Sequence, residues 1–220
     1  MIKVTIGIVN RNNKELLSGC LNSIYENEPY ETYEVIVVDN GSTDGSIEMI
    51  KTNFKKLKLI ETKENLGWAK AANRIINESQ GKYIIFLNED MIILKDCINN
   101  LIEFLDKHPK VSSVSPKLLN PDGTLQVHDT SAFPPKIYQL LSNKILKRKR
   151  KIPSYTKFTK VSYAIGAGLF RKQALIDVGL IDPDYFMFGE EIDLGYRLMK
   201  KRWESYFIPN AEIIHFGGQS

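Results

Sequence analysis

Cysteine is nearly absent from this sequence. The two present, Cys20 and Cys97, lie far apart without metal-ligand or redox spacing, which excludes a disulfide scaffold and suits a reducing compartment. No run approaches the ~20 apolar residues that a membrane-spanning helix requires. Residues 1–9 hold a single lysine and too short an apolar run for a signal peptide, and read as a strand. A dominant charge is lacking too. Lys and Arg number 30 against 26 Asp and Glu, and the formal +4 does not argue for nucleic acid as a partner. No Gly-x-Gly-x-x-Gly follows the first strand, so the usual dinucleotide-binding fingerprint is missing. No repeat or linker divides the 220 residues, and one domain over 1–220 is expected. These absences leave a soluble, cytoplasmic enzyme or binding domain as the expectation.

What is present is alternation. Residues 4–9, 35–38, 57–60 and 83–87 read as strands, and 15–25, 46–54 and 69–79 as helices, with Gly81 as the stop of the third. The connections are too long for hairpins, which predicts an α/β fold on a mostly parallel, doubly wound sheet. Beyond it, 96–108 reads as a helix stopped by Pro109, and 111–114 as a strand. Asn120-Pro121-Asp122-Gly123 reads as a turn, 161–170 as strand-like, 172–178 and 192–201 as helices, and 205–208 and 212–216 as two closing strands.

The stretch Tyr83-Ile84-Ile85-Phe86-Leu87-Asn88-Glu89-Asp90 organises the chain. Its apolar run lacks alternation, as a strand buried on both faces does, and it breaks into acids at its carboxyl end. Ligands of open α/β sheets bind at that end, and paired oxygens there suit a hard divalent cation shared with phosphates. The plainer reading is a polar turn capping the strand. Asp39 ends another buried strand and would open onto the same edge, where an acid receives ribose hydroxyls or a base N–H. Asp39 and Asp44 could equally stabilise a turn and cap the next helix.

Glu190 and Glu191 precede a helix with Asp193 in its first turn, where the dipole favours each carboxylate by roughly 0.3–1 kcal/mol. At the lip of a cleft such a carboxylate could act as a general base; otherwise it only steadies the helix. His215 ends an apolar strand beside Gly217 and Gly218, a place where histidine is more often structural than a ligand. His108 and His128 read as surface residues, and Trp68, Trp203 and Tyr206 as core or lip packing.

In their order along nearly the whole chain these motifs resemble glycosyltransferase family 2, with its GT-A fold. Ile8-Val9-Asn10-Arg11-Asn12 is similar to the family's opening nucleotide-binding strand and loop. Val37-Val38-Asp39-Asn40-Gly41-Ser42-Thr43-Asp44-Gly45 is the most specific match, and Asn65-Leu66-Gly67-Trp68-Ala69-Lys70-Ala71-Ala72-Asn73 resembles the third motif. Leu87-Asn88-Glu89-Asp90 takes the place of the metal-binding Asp-x-Asp, and Phe188-Gly189-Glu190-Glu191 that of the catalytic Glu-Asp segment. Lys117-Leu118-Leu119-Asn120-Pro121-Asp122-Gly123-Thr124-Leu125-Gln126 resembles the rhamnosyltransferase-like branch, and His215-Phe216-Gly217-Gly218-Gln219-Ser220 the closing motif.

The resemblance implies a single Rossmann-like catalytic domain that transfers a sugar, with inversion, in cell-surface polysaccharide synthesis. The donor would be a nucleotide sugar, dTDP- or UDP-linked, and the acceptor a saccharide or lipid-linked molecule. It implies donor contacts from Val9, Asn10, Arg11, Asp39, Asn65, Gly67, Asn73, Asn88 and Glu89. It gives a Mg²⁺ or Mn²⁺ to Asp90 with His215, and proton abstraction to Glu191 beside Glu190. The chain departs from the family at Asn88, where the first acid stands, and at Glu191, where an aspartate stands. It stops at Ser220, so a catalytic domain truncated at its C-terminus, or a minimal enzyme, is expected. Two rivals stay open. A sugar nucleotidyltransferase would carry a Gly-rich basic first loop, and Asn10-Arg11-Asn12-Asn13 has no glycine. A non-catalytic nucleotide-sugar-binding relative would bind donor without turnover.

The run Lys144-Ile145-Leu146-Lys147-Arg148-Lys149-Arg150-Lys151 reads as a solvated loop or as a contact with anionic lipid. Near a membrane surface each such residue contributes roughly 1 kcal/mol, which would suit a lipid-linked acceptor at the inner face of the plasma membrane. The lipid reading predicts that neutralising these residues abolishes sedimentation with anionic vesicles. Sedimentation that survives would remove it.

Overall fold

Residues 1–127, 155–164 and 167–217 are described by a computed structural model. His128, the basic run 144–151, Gly166 and 218–220 lie outside the described residues. The chain begins β1 (Val4–Asn10), α1 (Lys14–Glu26), β2 (Tyr33–Asp39), α2 (Ser46–Asn53), β3 (Lys58–Glu61), α3 (Trp68–Glu78) and β4 (Tyr83–Asn88). It continues through β5 (Met91–Ile93), α4 (Cys97–Lys107), β6 (Val111–Leu119), β7 (Thr159–Val161) and β8 (Leu169–Arg171). Helices α5 (Lys172–Asp177) and α6 (Glu190–Lys200) lead to β9 (Glu204–His215). One sheet orders the strands β3-β2-β1-β4-β8-β6-β9-β5, with β7 also on β9. The block β3-β2-β1-β4 is parallel, as is β6 with β9, while β8, β5 and β7 pair antiparallel. The α/β, GT-A-like expectation of a mixed, mostly parallel sheet between helices is met.

Strand alternation divides the core in two. Val35 and Val37 of β2 and Tyr83, Ile85 and Leu87 of β4 pack on one face with Leu17, Leu21 and Ile24 of α1 and Leu101 of α4. Ile36, Val38, Ile84 and Phe86 point the other way, onto Ala72 and Ile75 of α3, Leu175 of α5 and Leu194 of α6. With helices on both faces every strand position of β1 is buried, so apolar runs replace the alternation of a one-sided sheet. Both cysteines are buried and free, and burial pushes their thiols far up, which leaves them inert.

Five expectations change. Strand β6 runs on to Leu119 instead of ending at residue 114, and Glu190 and Glu191 form the first turn of α6 instead of preceding it. The two closing strands are one, β9, whose register against β6 jumps from Ile208 opposite Pro116 to Glu212 opposite Lys117. Pro209 can donate no ladder hydrogen bond, so the strand bulges there instead of ending. Asn100 on α4 ties the bulge down by donating to the Asn210 carbonyl at 2.7 Å. The single strand-like stretch 161–170 is two strands, because β7 pairs with β9 whereas β8 lies between β4 and β6.

Gly81 is the last correction. Helix α3 ends at Ser79 in extended conformation (φ −73°, ψ 145°), without a left-handed glycine. Gly81 is required for space, since a Cβ would sit 2.5 Å from the Thr5 nitrogen and 2.6 Å from the Tyr83 carbonyl oxygen. Both obstacles are backbone of central strands and cannot yield cheaply. Gly81→Ala should therefore cost about 1–3 kcal/mol, read as a lower urea midpoint at unchanged slope. A midpoint equal to wild type would mean that the chain shifts freely here.

Candidate active site

The parallel register delivers polar residues to one edge of the sheet. Asn10 is opposite Asp39, and Val9 opposite Asn88. The Asn10 amide donates to Asp39 Oδ2 at 2.9 Å and to Ser42 Oγ at 3.2 Å, while Asp39 Oδ1 accepts from the Ser42 amide at 2.8 Å. Asp39 is fully buried and organises the loop after β2. Asn10 Oδ1 is also buried and has no hydrogen-bond partner among the described residues, an acceptor left open at this edge. Asp44 accepts from Ser46 and from the Lys14 amide, joining the starts of α1 and α2. Burial pushes its carboxyl up, but these hydrogen bonds outweigh that and hold it below its usual range.

A second layer follows. Asn40 Nδ2 donates to Asn65 Oδ1 at 2.8 Å, and Asn40 Oδ1 accepts from the Leu66 amide at 2.9 Å. The Gly67 amide donates to Asn65 Oδ1 at 3.0 Å. Gly67 has φ 78°, and a Cβ there would meet the Phe186 carbonyl oxygen at 2.6 Å, so glycine is demanded twice over. That carbonyl accepts from the Trp68 amide at 2.8 Å and docks the segment before α6 onto the start of α3. Asn73 extends the same dock. Its amide donates to the Ile181 carbonyl at 2.7 Å and its oxygen accepts from the Ile181 amide at 3.1 Å.

Below β4, Glu89 and Asp90 are 5% and 2% exposed. Glu89 Oε1 accepts from Asn13 Nδ2 at 2.6 Å, and burial raises its carboxyl, with the Asp90 charge adding to the effect. Asp90 is gripped by the end of β9. Its carbonyl accepts from the Phe216 amide at 3.0 Å, and Oδ2 accepts from the Gly217 amide at 3.0 Å. His215 Nε2 stands 3.4 Å from the same oxygen. Asp90 Oδ1 is buried and without a hydrogen-bond partner among the described residues. Among the described residues, that orphaned carboxylate oxygen next to an imidazole nitrogen is an arrangement that fits one side of a divalent cation. Among the described residues no group of three His, Cys, Asp or Glu forms a cage. A cation here would need further oxygens from a phosphate ligand, as Mg²⁺ sites usually do.

Val9, Arg11, Asn40, Asn65, Asn88, Glu89, Glu190 and Glu191 line a cleft of about 270 Å³. Part of its wall is apolar, formed by Trp68, Phe86 and Phe170, whose rings meet edge-to-face at 5.7 and 5.8 Å between centroids. Met187 and Phe188, both exposed, form its lip. The site residues inferred from sequence thus divide. Nine-tenths-buried Asn10, Asp39 and Asp90 support the edge, and Gly67 and Asn73 hold the lip segment, while the remaining donor candidates and both glutamates face the cleft. Glu191 Oε2 accepts from the Gly189 amide at 3.2 Å, capping its own helix. Glu190 Oε2 is buried and has no hydrogen-bond partner among the described residues, and burial, then the Glu191 charge, pushes its carboxyl up. Asn13, Asn40, Phe186 and Met187 received no role from the sequence. The run Tyr185-Phe186-Met187-Phe188, apolar yet followed by a helix-capping glycine, was the signal for the lip.

Comparison with known proteins agrees with this geometry. The profile of glycosyl transferase family 2 matches residues 5–179. The chain is 28% identical over 211 residues to an N-acetylglucosaminyl-diphospho-decaprenol L-rhamnosyltransferase of Mycobacterium tuberculosis, covering 84% of this chain and 67% of that protein. Its fold is similar to GalNAc-T7 with UDP, GalNAc and Mn²⁺ (TM-score 0.75, 16% identity, 98% of this chain and 44% of that one). It is likewise similar to the mannosyltransferase PcManGT of Pyrobaculum calidifontis with GDP-Man and Mn²⁺ (TM-score 0.71, 20% identity, 99% and 57%). The chain therefore spans about half the length of these structures. With its sheet order, its edge of buried polar residues and a profile match over most of its length, this chain belongs to glycosyltransferase family 2.

Proposed function

We propose that this domain transfers a hexose, with inversion, from a nucleoside diphosphate donor to a hydroxyl of a saccharide or lipid-linked acceptor in cell-surface glycan synthesis. The observation that carries the reading is the buried, unpartnered Asp90 Oδ1 at the sheet edge whose cleft also receives the α6 glutamates. Asp90 and His215 would hold a Mg²⁺ or Mn²⁺, and the two similar folds that contain Mn²⁺ with a nucleotide support this. When bound, such a cation acts as a Lewis acid for the charge that the departing diphosphate gains. Asn10, Asp39 and the Asn40–Asn65 pair would shape the nucleoside end, and Arg11 of the cleft lining would face the phosphates.

Glu191 would take the acceptor hydroxyl's proton as its oxygen bonds to the anomeric carbon and the carbon–diphosphate bond breaks on the opposite face. The hydrogen bond from the Gly189 amide holds Glu191 Oε2, leaving Oε1 for that proton. Glu190 Oε2 would accept a hydroxyl of the bound sugar, which gives that buried oxygen its missing partner. Rhamnose on dTDP is our first choice of donor, from the motif at 117–126 and the mycobacterial relative, and a UDP-sugar the second. A nucleotide-sugar donor argues for work in the cytoplasm, at the inner membrane face if the acceptor is lipid-linked.

Calorimetry with a panel of nucleoside diphosphates tests the donor site. One of them should bind in a Mn²⁺-dependent manner, and Asp90→Ala should weaken it by more than the roughly 10–100-fold typical of outer-shell changes. Binding that ignores both Mn²⁺ and Asp90 would overturn the cation reading.

The roles of the two glutamates separate in kinetics. Glu191→Gln should lower kcat by about 10²–10⁴ with donor affinity kept, whereas Glu190→Gln should act mainly on KM. Because burial raises the Glu190 carboxyl above its ordinary 4.5, a Glu190 base would be ionised only at higher pH. Activity would then rise with pH along a limb shifted upward, and that limb would vanish in Glu190→Gln. Such a profile would exchange the two roles.

A further inference from the structure

Gln126 lies in the loop after β6, far from β9 in sequence, yet it meets the closing histidine twice. Its Nε2 donates to the His215 carbonyl at 3.1 Å and to Asn120 Oδ1 at 3.0 Å. Both partners are oxygens that only accept, so the amide cannot be turned over, and its Oε1 must face the imidazole. That oxygen is 2.8 Å from His215 Nδ1. An amide oxygen only accepts, so Nδ1 carries the proton, and in the neutral ring Nε2 is left with its lone pair. This lone pair faces Asp90 Oδ2 at 3.4 Å, beside the orphaned Oδ1. Two acceptors set against each other repel unless a positive charge sits between or beside them.

We propose that Gln126 is a positioning residue of the cation site: it holds the Nδ1 proton of His215 and so presents the Nε2 lone pair to the cation beside Asp90. The inference rests on the Asp90–His215 cation reading. Gln126 touches neither donor nor cation, and acts through the ring it orients. The loop that carries it is itself pinned. The Gln126 amide donates to the Leu118 carbonyl at 2.9 Å, and the turn closes from the Gly123 amide to the Asn120 carbonyl at 2.9 Å. The side chain is therefore delivered by β6 and its turn, while the ring it holds is delivered by β9.

The test compares Gln126→Ala and Gln126→Glu with wild type and Asp90→Ala. A carboxylate still accepts from Nδ1 but loses both donor contacts, so Gln126→Glu separates ring orientation from loop pinning. The first readout is the long-range ¹H–¹⁵N spectrum of His215 in metal-free, neutral protein. Wild type and Gln126→Glu should show the Nδ1–H tautomer, and Gln126→Ala should admit the Nε2–H form. The second is Mn²⁺ titrated by electron paramagnetic resonance into protein mixed with UDP, dTDP or GDP. Gln126→Ala should bind about 10–100-fold more weakly, and Gln126→Glu should recover most of the loss. An Nε2–H wild type, an alanine variant that binds Mn²⁺ as wild type does, or a glutamate variant that fails as alanine does would each overturn the proposal. If Asp90→Ala also binds Mn²⁺ unchanged, the cation reading has failed with it. If Asp90→Ala loses Mn²⁺ while Gln126→Ala keeps it, Gln126 alone has been misassigned.

Discussion

The register of β1 against β2 and β4 is the constraint on which the rest of the structure depends. It places Asn10 opposite Asp39 and Val9 opposite Asn88, so three chain segments end together. A slip of one residue would send Val35 and Val37 to the face of Ile36 and Val38, and would turn the Asn10 amide away from Asp39. Helices cover both faces, so neither core tolerates the exchange. Apolar packing thereby delivers polar chemistry to the sheet edge. The hydrogen bonds among Asn10, Asp39 and Ser42 then hold what packing has brought together.

Strand β9 completes the edge from the far end of the sequence. It runs parallel to β6 with a bulge at Pro209, is tied to it by the Lys117–Glu212 ion pair at 2.7 Å, and ends where Phe216 and Gly217 clamp Asp90. The bulge re-aims the last residues of the strand while the ladder on either side stays paired. The same economy appears at the lip, where a backbone hydrogen bond to Phe186 and the Asn73–Ile181 pair hold a loop that has no ladder of its own. In both places a loop is positioned by elements whose stability comes from elsewhere.

Burial sets the electrostatics. Glu89 and Glu190 are both pushed upward because burial outweighs the hydrogen bonds that oppose it and, at Glu89, the His215 charge as well. Among the described residues, Asp90 Oδ1 and Asn10 Oδ1 at the sheet edge and Glu190 Oε2 in the cleft lining are buried without hydrogen-bond partners. Such groups are costly in a finished core, where each open acceptor forfeits its hydration. Each is an acceptor that a donor from a ligand could satisfy.

Much of this was legible from residues alone. Unbroken apolar runs in β1, β2 and β4 and the helical spacing of α1 and α4 determined a two-faced α/β sheet, because burial on both sides leaves no other pattern. The acids after β4 and in the first turn of α6 were visible for the same reason, as polar breaks at the ends of apolar elements. Tertiary structure decided what local pattern cannot encode. Pro209 read as the end of a strand because a bulge is defined only by the partner it pairs against. Gly81 read as a helix stop because the Thr5 and Tyr83 backbones that crowd it are brought there by another strand and by the chain's own return. Asn73, a donor contact by its motif, holds the lip, and Gln126 meets His215 only because β6 and β9 run side by side. Periodicity records which face of an element is buried, and so determined the scaffold; contacts between side chains distant in sequence depend on the register of whole strands, which only the assembled sheet decides.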